Sequence, residues 1–331
     1  MATYKRQRYL FMTLDPVHIG TGGYRLGRVD NSIVREPGTK IPKIPGTSLH
    51  GAARSYAAQL YETPEAAGQS HNNVTGDIAE NPVCYTFGYI KGQDICSGVV
   101  NIFDAHILLF PVHSMVGPVW VSTLERLEES GFTVTSPTTS PTQCQTEQVL
   151  LNWKRSDPLN LGWLMLNVAE TKAEIEAPPQ WQNETRYKAI SKKIVIVKDA
   201  LFSQIVNSNL EVRTSVAIDP ETGAADEGKL FTYEAIPRAT FLTAEVVLDD
   251  YRQAFPNPKP DKTGKNNPLP GEPWNCPLCV VKAGFKMIEW LGVGGMGTRG
   301  FGRMAMIGDS VTVGIDELLP KQQASNAGGE A

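Results

Sequence analysis

A short motif in the first third of the chain has the composition of a phosphate-binding turn. The motif IPGTS places Gly46 and the hydroxyls of Thr47 and Ser48 at the start of a predicted helix, with Arg54 about one and a half turns further on. Free main-chain amides and the positive end of the helix dipole favour an anion at such a position. An ordinary helix capped by Ser48 is the alternative that these residues leave open.

A glycine-rich segment near the other end of the chain is a second candidate phosphate contact. The sequence GVGGMG, residues 292–297, matches the dinucleotide-binding pattern, but it follows a predicted helix and precedes a predicted strand. A dinucleotide site needs the opposite order, so we reject that interpretation. The segment instead predicts a loop whose amides, near Gly295, can approach a phosphate, with Arg299 and Arg303 beside it. A flexible connector is the alternative.

Two cysteines form half of a possible metal site. Cys276 and Cys279 have the CxxC spacing, and His71 and Cys84 lie in another insertion, at a spacing that does not constrain them. Zinc needs four such ligands, so a structural zinc is a secondary hypothesis and no other metal site is predicted.

Three acidic or basic residues stand alone next to glycine or proline turns. They are His18, Asp30 and Glu234, and their spacing by itself predicts only surface or capping roles.

The elements that must position these residues belong to a globular chain. It has 331 residues, of which 41% are hydrophobic, with a formal net charge of −4 and five cysteines. Apolar runs such as Ile107–Phe110 are too short to cross a bilayer, and no segment resembles a signal peptide. An odd number of cysteines in a chain of this length does not indicate a disulfide framework. We therefore expect a soluble cytoplasmic protein with no membrane partner.

Charge is unevenly distributed along the chain. Residues 1–56 have a net charge of +6, and residues 214–250 have a net charge of −6. This asymmetry predicts a basic face for an anionic polymer and an acidic face for another protein or another copy of the chain. Chance clustering on a solvated surface is the alternative.

Periodicity and turn residues predict a mixed order of strands and helices. Strands are expected at Tyr9–Leu14, Val99–Phe110, Ile194–Val197, 211–218, 229–234, Phe241–Leu248 and Met304–Ile307, and helices after Ser48, near Leu124–Leu127, over Asp199–Val206 and up to Leu291. This order predicts an α+β fold of the ferredoxin-like, RRM-like kind with an open sheet face for bases. We expect one domain over 1–318, with insertions at about 62–82 and 254–275 and a disordered tail at 319–331.

Four blocks of sequence resemble the RAMP superfamily of CRISPR proteins, in family order. DPVHIGTGGYRLGRVDNSIVREPGTKIPKIPGTSLHGAAR resembles its N-terminal signature, and LGVGGMGTRGFGR resembles its closing glycine-rich loop. EVRTSVAIDPETGAADEGKLFTYEAIP is similar to the β-hairpin thumb of type III backbone subunits. FDAHILLFPVHSMVG resembles a segment of the type III-B (Cmr) backbone subunit.

The resemblance implies a ferredoxin-like palm, a thumb at about 208–236, and a particular chemistry. Copies of the chain would form a filament along a CRISPR guide RNA, together with other type III effector subunits, and would cleave a complementary target RNA at regular intervals. Asp30 stands at the family's cleaving aspartate, His18 at the PxHxG histidine and Glu234 at the acid before the IP dipeptide. A divalent cation, Mg²⁺ or Mn²⁺, would assist attack by the 2′-hydroxyl, giving a 2′,3′-cyclic phosphate and a 5′-hydroxyl. DNA would resist cleavage.

The resemblance also implies a set of RNA-binding residues. They are Arg25, Arg28, Lys43, Gly46, Thr47, Ser48, His50, Arg54, Arg213, Gly295, Arg299 and Arg303. Relatives commonly have lysine at the position of His50, so one guide contact is expected to be weaker here. Two alternatives remain: a non-catalytic RNA-binding scaffold of a type III-D or III-A-like complex, and a guide-processing endonuclease, which normally works with a histidine.

Overall fold

The computed structural model describes residues 3–22, 29–135, 148–256 and 274–314. Their strands are β1 Thr3–Thr13, β2 Lys43–Ile44, β3 Gly88–Lys91, β4 Asp94–Ser97, β5 Val100–Ile102, β6 Ala105–Ser114, β7 Gly117–Ser122, β8 Thr133–Thr135, β9 Gln148–Leu151, β10 Leu159–Leu161, β11 Leu164–Val168, β12 Glu174–Glu176, β13 Ile194–Ile196, β14 Glu211–Ile218, β15 Ala225–Ala235, β16 Phe241–Asp250, β17 Met304–Met306 and β18 Val311–Val313.

The described helices are fewer than the strands. They are α1 Gly46–Leu60, α2 Pro82–Phe87, α3 Leu124–Glu129, α4 Pro179–Gln182, α5 Thr185–Lys188, α6 Asp199–Ser208 and α7 Pro277–Leu291, with 3₁₀ turns at Pro64–Ala67, Ile78–Glu80 and Gly297–Arg299. Within the described ranges, no helix has the length and apolar character needed to span a membrane.

One large mixed sheet organises the fold. Its main path runs β10-β11-β9-β13-β7-β6-β16-β1-β17, and β18, β2 and β5 pair with β1, β6 and β16. The strand β1 lies between β16 and β17 and is antiparallel to both, while β16 is antiparallel to β6. The pairs β13–β7 and β11–β9 are parallel. The predicted α+β class is therefore confirmed.

Both faces of this sheet are covered. On β1, Tyr9 and Phe11 share one face, and their rings lie edge-on to Phe285 of α7 with centroids 5.2 and 5.3 Å apart. Leu10 points to the opposite face and belongs to a second buried cluster that contains Trp181 of α4. Because successive strand residues alternate between faces, helices and loops must pack on both sides. The expectation of an open sheet face for bases is wrong where these two clusters pack.

The two long helices cover the same face and touch each other closely. A Cβ at Gly284 of α7 would lie 2.3 Å from the carbonyl oxygen of Ala53 in α1. Only glycine permits this approach, so the α1–α7 contact is set at that position. Leu49, Ala53 and Ala57, each four residues apart, are buried and form one apolar face of α1.

Two local predictions near α1 are wrong for one shared reason. The helix begins at Gly46 with Pro45 as its N-cap, so Ser48 lies inside the first turn and does not cap it. The strand expected over Val99–Phe110 is broken between β5 and β6. Asp104 lies at the break, and its Oδ1 accepts a hydrogen bond from the Gly46 amide at 2.7 Å. A carboxylate from the break between two distant strands thus replaces the local cap.

A hairpin formed by β14 and β15 stands apart as a two-stranded sheet. It lies within the predicted thumb segment, and its register pairs Glu211 with Ala235 and Val216 with Leu230. Alternate residues of β14 are exposed. The predicted strands here are confirmed, as are the helix over Asp199–Val206 and the closing helix and strand. Most of the insertion at 254–275, the whole tail at 319–331, and both Arg25 and Arg28 lie outside the described residues.

Candidate nucleic-acid interface and active site

The outer edge of the hairpin strand β15 collects residues from the loop that follows β1. Val17 and Ile236 exchange two main-chain hydrogen bonds of 2.9 Å. The Asn31 amide donates to the Thr232 carbonyl at 3.0 Å, and the Glu234 amide donates to the Asn31 carbonyl at 3.1 Å. Edge strands expose unpaired donors and acceptors, so this loop satisfies an edge that would otherwise be open.

Asp30 is held against this edge by its carboxylate. Its Oδ2 accepts hydrogen bonds from the Thr232 amide at 2.7 Å and from the Thr232 hydroxyl at 3.0 Å. The Asp30 amide donates back to that hydroxyl at 3.1 Å. The main-chain and side-chain hydrogen bonds from Thr232 lower the pKa of Asp30. The side chain is exposed, so a carboxylate that is charged at neutral pH faces solvent here.

The two carboxylate oxygens of Asp30 differ in their hydrogen bonding. Oδ1 makes no hydrogen bond to any residue that the structure describes. A carboxylate with a lowered pKa is a weak base, but it accepts a hydrogen bond from a hydroxyl well and it binds a cation well. The geometry therefore favours orientation and charge stabilisation over outright proton abstraction.

His18 lies on the same strand edge but is buried. Its Nδ1 lies 2.6 Å from the Glu234 carbonyl oxygen, and its ring lies edge-on to Tyr233, with centroids 6.2 Å apart. The residue is only 5% exposed. Its own carbonyl accepts a hydrogen bond from the Gly295 amide at 2.9 Å. His18 thus joins the thumb strand to the glycine-rich loop.

Glu234 uses its side chain for an ion pair. Its Oε2 lies 2.7 Å from a terminal guanidinium nitrogen of Arg35. Arg35 also donates to the Asn207 side chain and to the Ile33 carbonyl, both at 3.0 Å. Glu234 is 9% exposed. Through Arg35, its side chain connects β15 to the loop that carries Asp30 and to α6.

The structure therefore brings the three sequence-predicted residues together. Asp30 and His18 contact β15 at positions two residues apart, which is about 7 Å along a strand. Asp30 and His18 both lie near the start of the chain, more than 200 residues before their partners Thr232 and Glu234. Neither Thr232 nor Arg35 has a local sequence signal, because a threonine and an arginine next to turns have many ordinary roles.

A groove of about 400 Å³ runs between the start of α1 and the glycine-rich loop. Small and hydroxyl side chains form one wall, and the loop forms the other; the lining includes Thr47, Ser48, Gly51, Ser55, Gly294 and Gly297. The Tyr56 hydroxyl donates to the Gly292 carbonyl at 2.6 Å and holds the two walls together. Such a wall lets a sugar–phosphate strand approach the main chain closely.

Arginine and aromatic residues surround the far end of this groove. The Arg213 guanidinium lies 4.7 Å from the Phe301 ring centroid, and the Arg299 guanidinium lies 5.7 Å from that of Phe231. Arg299 is exposed. Exposed arginines stacked on aromatic rings are suited to phosphates and unstacked bases. Arg303 lies nearby and is ion-paired with Asp15, which raises the Arg303 pKa.

The ammonium group of Lys43 is ion-paired within the protein. Its Nζ lies 2.6 Å from Asp104 and 3.0 Å from Glu36. The hydrogen bonds that Lys43 donates to Asp104 and Glu36 raise the Lys43 pKa. With the Gly46 amide bonded to Asp104, the free anion site predicted at this helix start is already filled by a carboxylate of the chain itself.

Arg54 is turned into the protein. Its guanidinium donates to the carbonyls of Ala66 and Gly88, both at 2.8 Å, and contacts His71 Nε2. Burial lowers the Arg54 pKa. His50 packs edge-on against Phe87, and burial, followed by the charge of Arg54, lowers its pKa. Arg54 therefore fixes the insertion after α1, and its predicted RNA contact is not supported by this orientation.

The residues considered for a zinc site are not gathered as ligands within the described ranges. Cys276 and Cys279 are joined as a disulfide at the start of α7. His71 contacts Arg54, and burial raises the pKa of the Cys84 thiol to about 11. Throughout the described ranges, no group of three or more histidine, cysteine, aspartate or glutamate residues is placed to hold a metal ion.

Comparisons with known proteins agree with this architecture. The sequence profile of the RAMP superfamily matches residues 10–305. The chain is 28% identical, over 252 residues, to the CRISPR system Cmr endoribonuclease Cmr4 of Pyrococcus furiosus, covering 71% of this chain and 79% of that protein.

Solved structures with a similar fold include two Cmr proteins. One is a chain of the type III-B Cmr-β complex bound to cognate target RNA, with a TM-score of 0.59 and 14% identity, covering 91% of this chain and 96% of that chain. The other is oligomeric Cmr4 from Pyrococcus furiosus, with a TM-score of 0.54 and 20% identity, covering 93% and 99%. The profile match spans most of the sequence, and the chain therefore belongs to the RAMP superfamily.

Proposed function

We propose that this chain is a backbone subunit of a type III-B CRISPR effector, which binds a guide RNA and cleaves the complementary target RNA. The observation that carries the proposal is the convergence of His18, Asp30 and Glu234 on one edge of the thumb strand, beside a glycine-lined groove. The similarity to a Cmr endoribonuclease and to a Cmr-β chain from a target-bound complex supports the same function.

The palm of this subunit is proposed to be ferredoxin-like. Four central strands have the order β17-β1-β16-β6, with α1 following β1 and α7 preceding β17. Taken in chain order, these strands run 4-1-3-2 across an antiparallel sheet, which supports a split βαβ arrangement. The hairpin β14–β15, inserted between β6 and β16, is the proposed thumb.

The guide RNA is proposed to lie in the groove between α1 and the glycine-rich loop. Hydroxyls of Thr47 and Ser48 and the loop amides would contact its backbone, and Arg299 and Arg213 would contact phosphates or bases at the thumb end. Copies of the chain would repeat this groove along one guide and would form a filament with other effector subunits.

Asp30 is the residue proposed to act on the target RNA. If the thumb unstacks a nucleotide, its 2′-hydroxyl can turn in line with the adjacent phosphate, and Asp30 Oδ1 can accept the hydrogen bond that orients it. The 2′-oxygen then bonds to phosphorus as the bond to the 5′-oxygen breaks. The 2′-hydroxyl loses its proton, and the 5′-oxygen gains one.

His18 and Glu234 are proposed to hold the loop of Asp30 against β15, since both are buried and bonded within the protein. A divalent cation, Mg²⁺ or Mn²⁺, would be held by Asp30 together with phosphate oxygens of the RNA, and would stabilise charge at the leaving oxygen. A single protein carboxylate is enough for such a shared ion, because Mg²⁺ commonly keeps water and phosphate ligands.

The test is the substitution Asp30→Ala in the assembled complex. Assembly and target binding are expected to be unchanged, while the single-turnover cleavage rate falls by about 100-fold or more. Asp157→Ala, at an exposed aspartate that contacts Arg155 through its main-chain carbonyl, is the control. Normal cutting by the Asp30 variant would contradict a catalytic role for Asp30 and would leave its loop with a scaffold role only.

A further inference from the structure

The thumb residue Thr232 contacts the carboxylate that the proposed reaction uses. Two of its groups, the amide and the hydroxyl, donate to the same oxygen, Asp30 Oδ2, at 2.7 and 3.0 Å. The hydroxyl also accepts from the Asp30 amide at 3.1 Å. One threonine thus fixes both the side chain and the main chain of Asp30.

This reciprocal contact determines which carboxylate oxygen is available. With Oδ2 bonded twice, the carboxylate cannot rotate freely, and Oδ1 is the oxygen left toward solvent. A side chain with one fixed oxygen loses less freedom when it meets its ligand, so its geometry is prepared before RNA binds.

The contact also connects the catalytic loop to the thumb. Thr232 lies on β15 directly opposite Thr214 of β14, so the orientation of Asp30 follows the position of the hairpin. A thumb moved by bound RNA would carry the carboxylate with it.

We propose that Thr232 is a positioning residue for target cleavage, acting through the Oδ2 oxygen of Asp30. This inference rests on the proposed function of Asp30 and extends it by one residue. Thr232 does not itself touch the RNA in this proposal. Substitution tests the Thr232 hydroxyl alone, because the main-chain amide of residue 232 stays in place whichever side chain is present.

The experiment compares three variants in the assembled complex with guide RNA. Thr232→Val removes the hydroxyl and keeps the β-branched shape, so we expect single-turnover cleavage to fall about tenfold with unchanged target affinity. Thr232→Ser restores the hydroxyl and is expected to restore most of the rate. Thr214→Val, the cross-strand partner on the same face of the hairpin, is the matched control and is expected to cut normally.

The outcomes separate this inference from the proposed function. If Asp30→Ala abolishes cutting but Thr232→Val cuts at the normal rate, the positioning role is overturned and the function stands. If Thr214→Val slows cutting as much as Thr232→Val, or if serine fails to rescue, the effect belongs to the hairpin as a whole and the inference is overturned. If Asp30→Ala itself cuts normally, the proposed function fails first.

Discussion

At the scale of single residues, Gly294 shows how narrowly the glycine-rich loop is fitted. Its φ is +87°, and a Cβ there would lie 2.4 Å from Ile19 Cδ1 and 2.6 Å from the His18 carbonyl oxygen. The adjacent Gly295 donates to that same carbonyl. The loop therefore rests directly on the segment that carries His18, so a change in one displaces the other.

Gly294→Ala is expected to destabilise the protein by roughly 1–3 kcal/mol, because the new methyl group must occupy a left-handed conformation and a filled space. Thermal unfolding of the purified chain measures this as a lower Tm. Gly297→Ala is the matched control, since a Cβ there meets nothing within 4 Å. Equal Tm values for the two variants would contradict the fit described for Gly294.

At the scale of elements, the start of α1 depends on a carboxylate from the β5–β6 break. Asp104 accepts from the Gly46 amide and pairs with Lys43. Burial acts to raise the Asp104 pKa, but the hydrogen bonds from Lys43 and Gly46 outweigh it, and the net effect is a lowered pKa. The Asp104 side chain thus connects the start of α1, the strand β2 and the segment between β5 and β6.

Asp104→Ala is expected to cost about 1–2 kcal/mol at neutral pH, the usual range for a lost helix cap. Because the folded pKa is below the unfolded value of about 3.8, the contribution is complete above that value and is lost as the pH falls through the folded pKa. Denaturant unfolding at several pH values should show the difference from wild type shrinking below about pH 4.

Asp199→Ala provides the comparison for this prediction. Asp199 is also acidic and lies in the first turn of a helix, α6, but no side chain caps that helix by a hydrogen bond. Its replacement is expected to remove the dipole contribution, about 0.3–1 kcal/mol, together with the attraction between Asp199 and Arg126. An Asp104 effect no larger than that, or one independent of pH, would show that the network does not stabilise α1.

At the scale of the whole molecule, ion pairs connect part of the basic N-terminal segment with part of the acidic one. Arg6 and Arg8 pair with Glu245, and Arg35 pairs with Glu234, so these charges offset each other within the described residues. Hydrogen bonds from both arginines lower the Glu245 pKa despite its burial, which acts to raise it. The cause is topological: β1 and β16 are adjacent antiparallel strands.

The prediction at this scale concerns the whole assembled complex and its target. A target RNA with a single 2′-deoxy nucleotide at one cleavage position is expected to remain uncut there and to be cut normally at the other positions, because the attacking hydroxyl is missing only once. The products elsewhere should carry a 2′,3′-cyclic phosphate, detectable by mass spectrometry. Cutting at the deoxy position would rule out attack by the 2′-hydroxyl.

The sequence by itself determined the order of the main elements and the resemblance to the superfamily, and that resemblance pointed to His18, Asp30 and Glu234 as candidates. Strand and helix periods are local properties, so α1, α6, β16, α7 and β17 were predictable within a few residues of their ends, whereas β1 begins at Thr3, six residues before its predicted start. The glycine-rich loop was also correctly placed between a helix and a strand. Several short strands between β6 and β14 were not predicted, because their apolar runs are brief and lack a clear period.

Only the tertiary structure decided what each charged side chain does. Lys43 and Arg54 are basic residues of the kind that bind RNA. In the structure, however, Lys43 pairs with a carboxylate and Arg54 donates to a main-chain carbonyl, both from distant segments of the chain. Asp30 has no local feature to distinguish it, and it becomes a fixed, charged group because Thr232, about 200 residues away, bonds to one of its oxygens. Hydrogen bonding and burial depend on neighbours in space, and residue type and spacing along the chain do not contain that information.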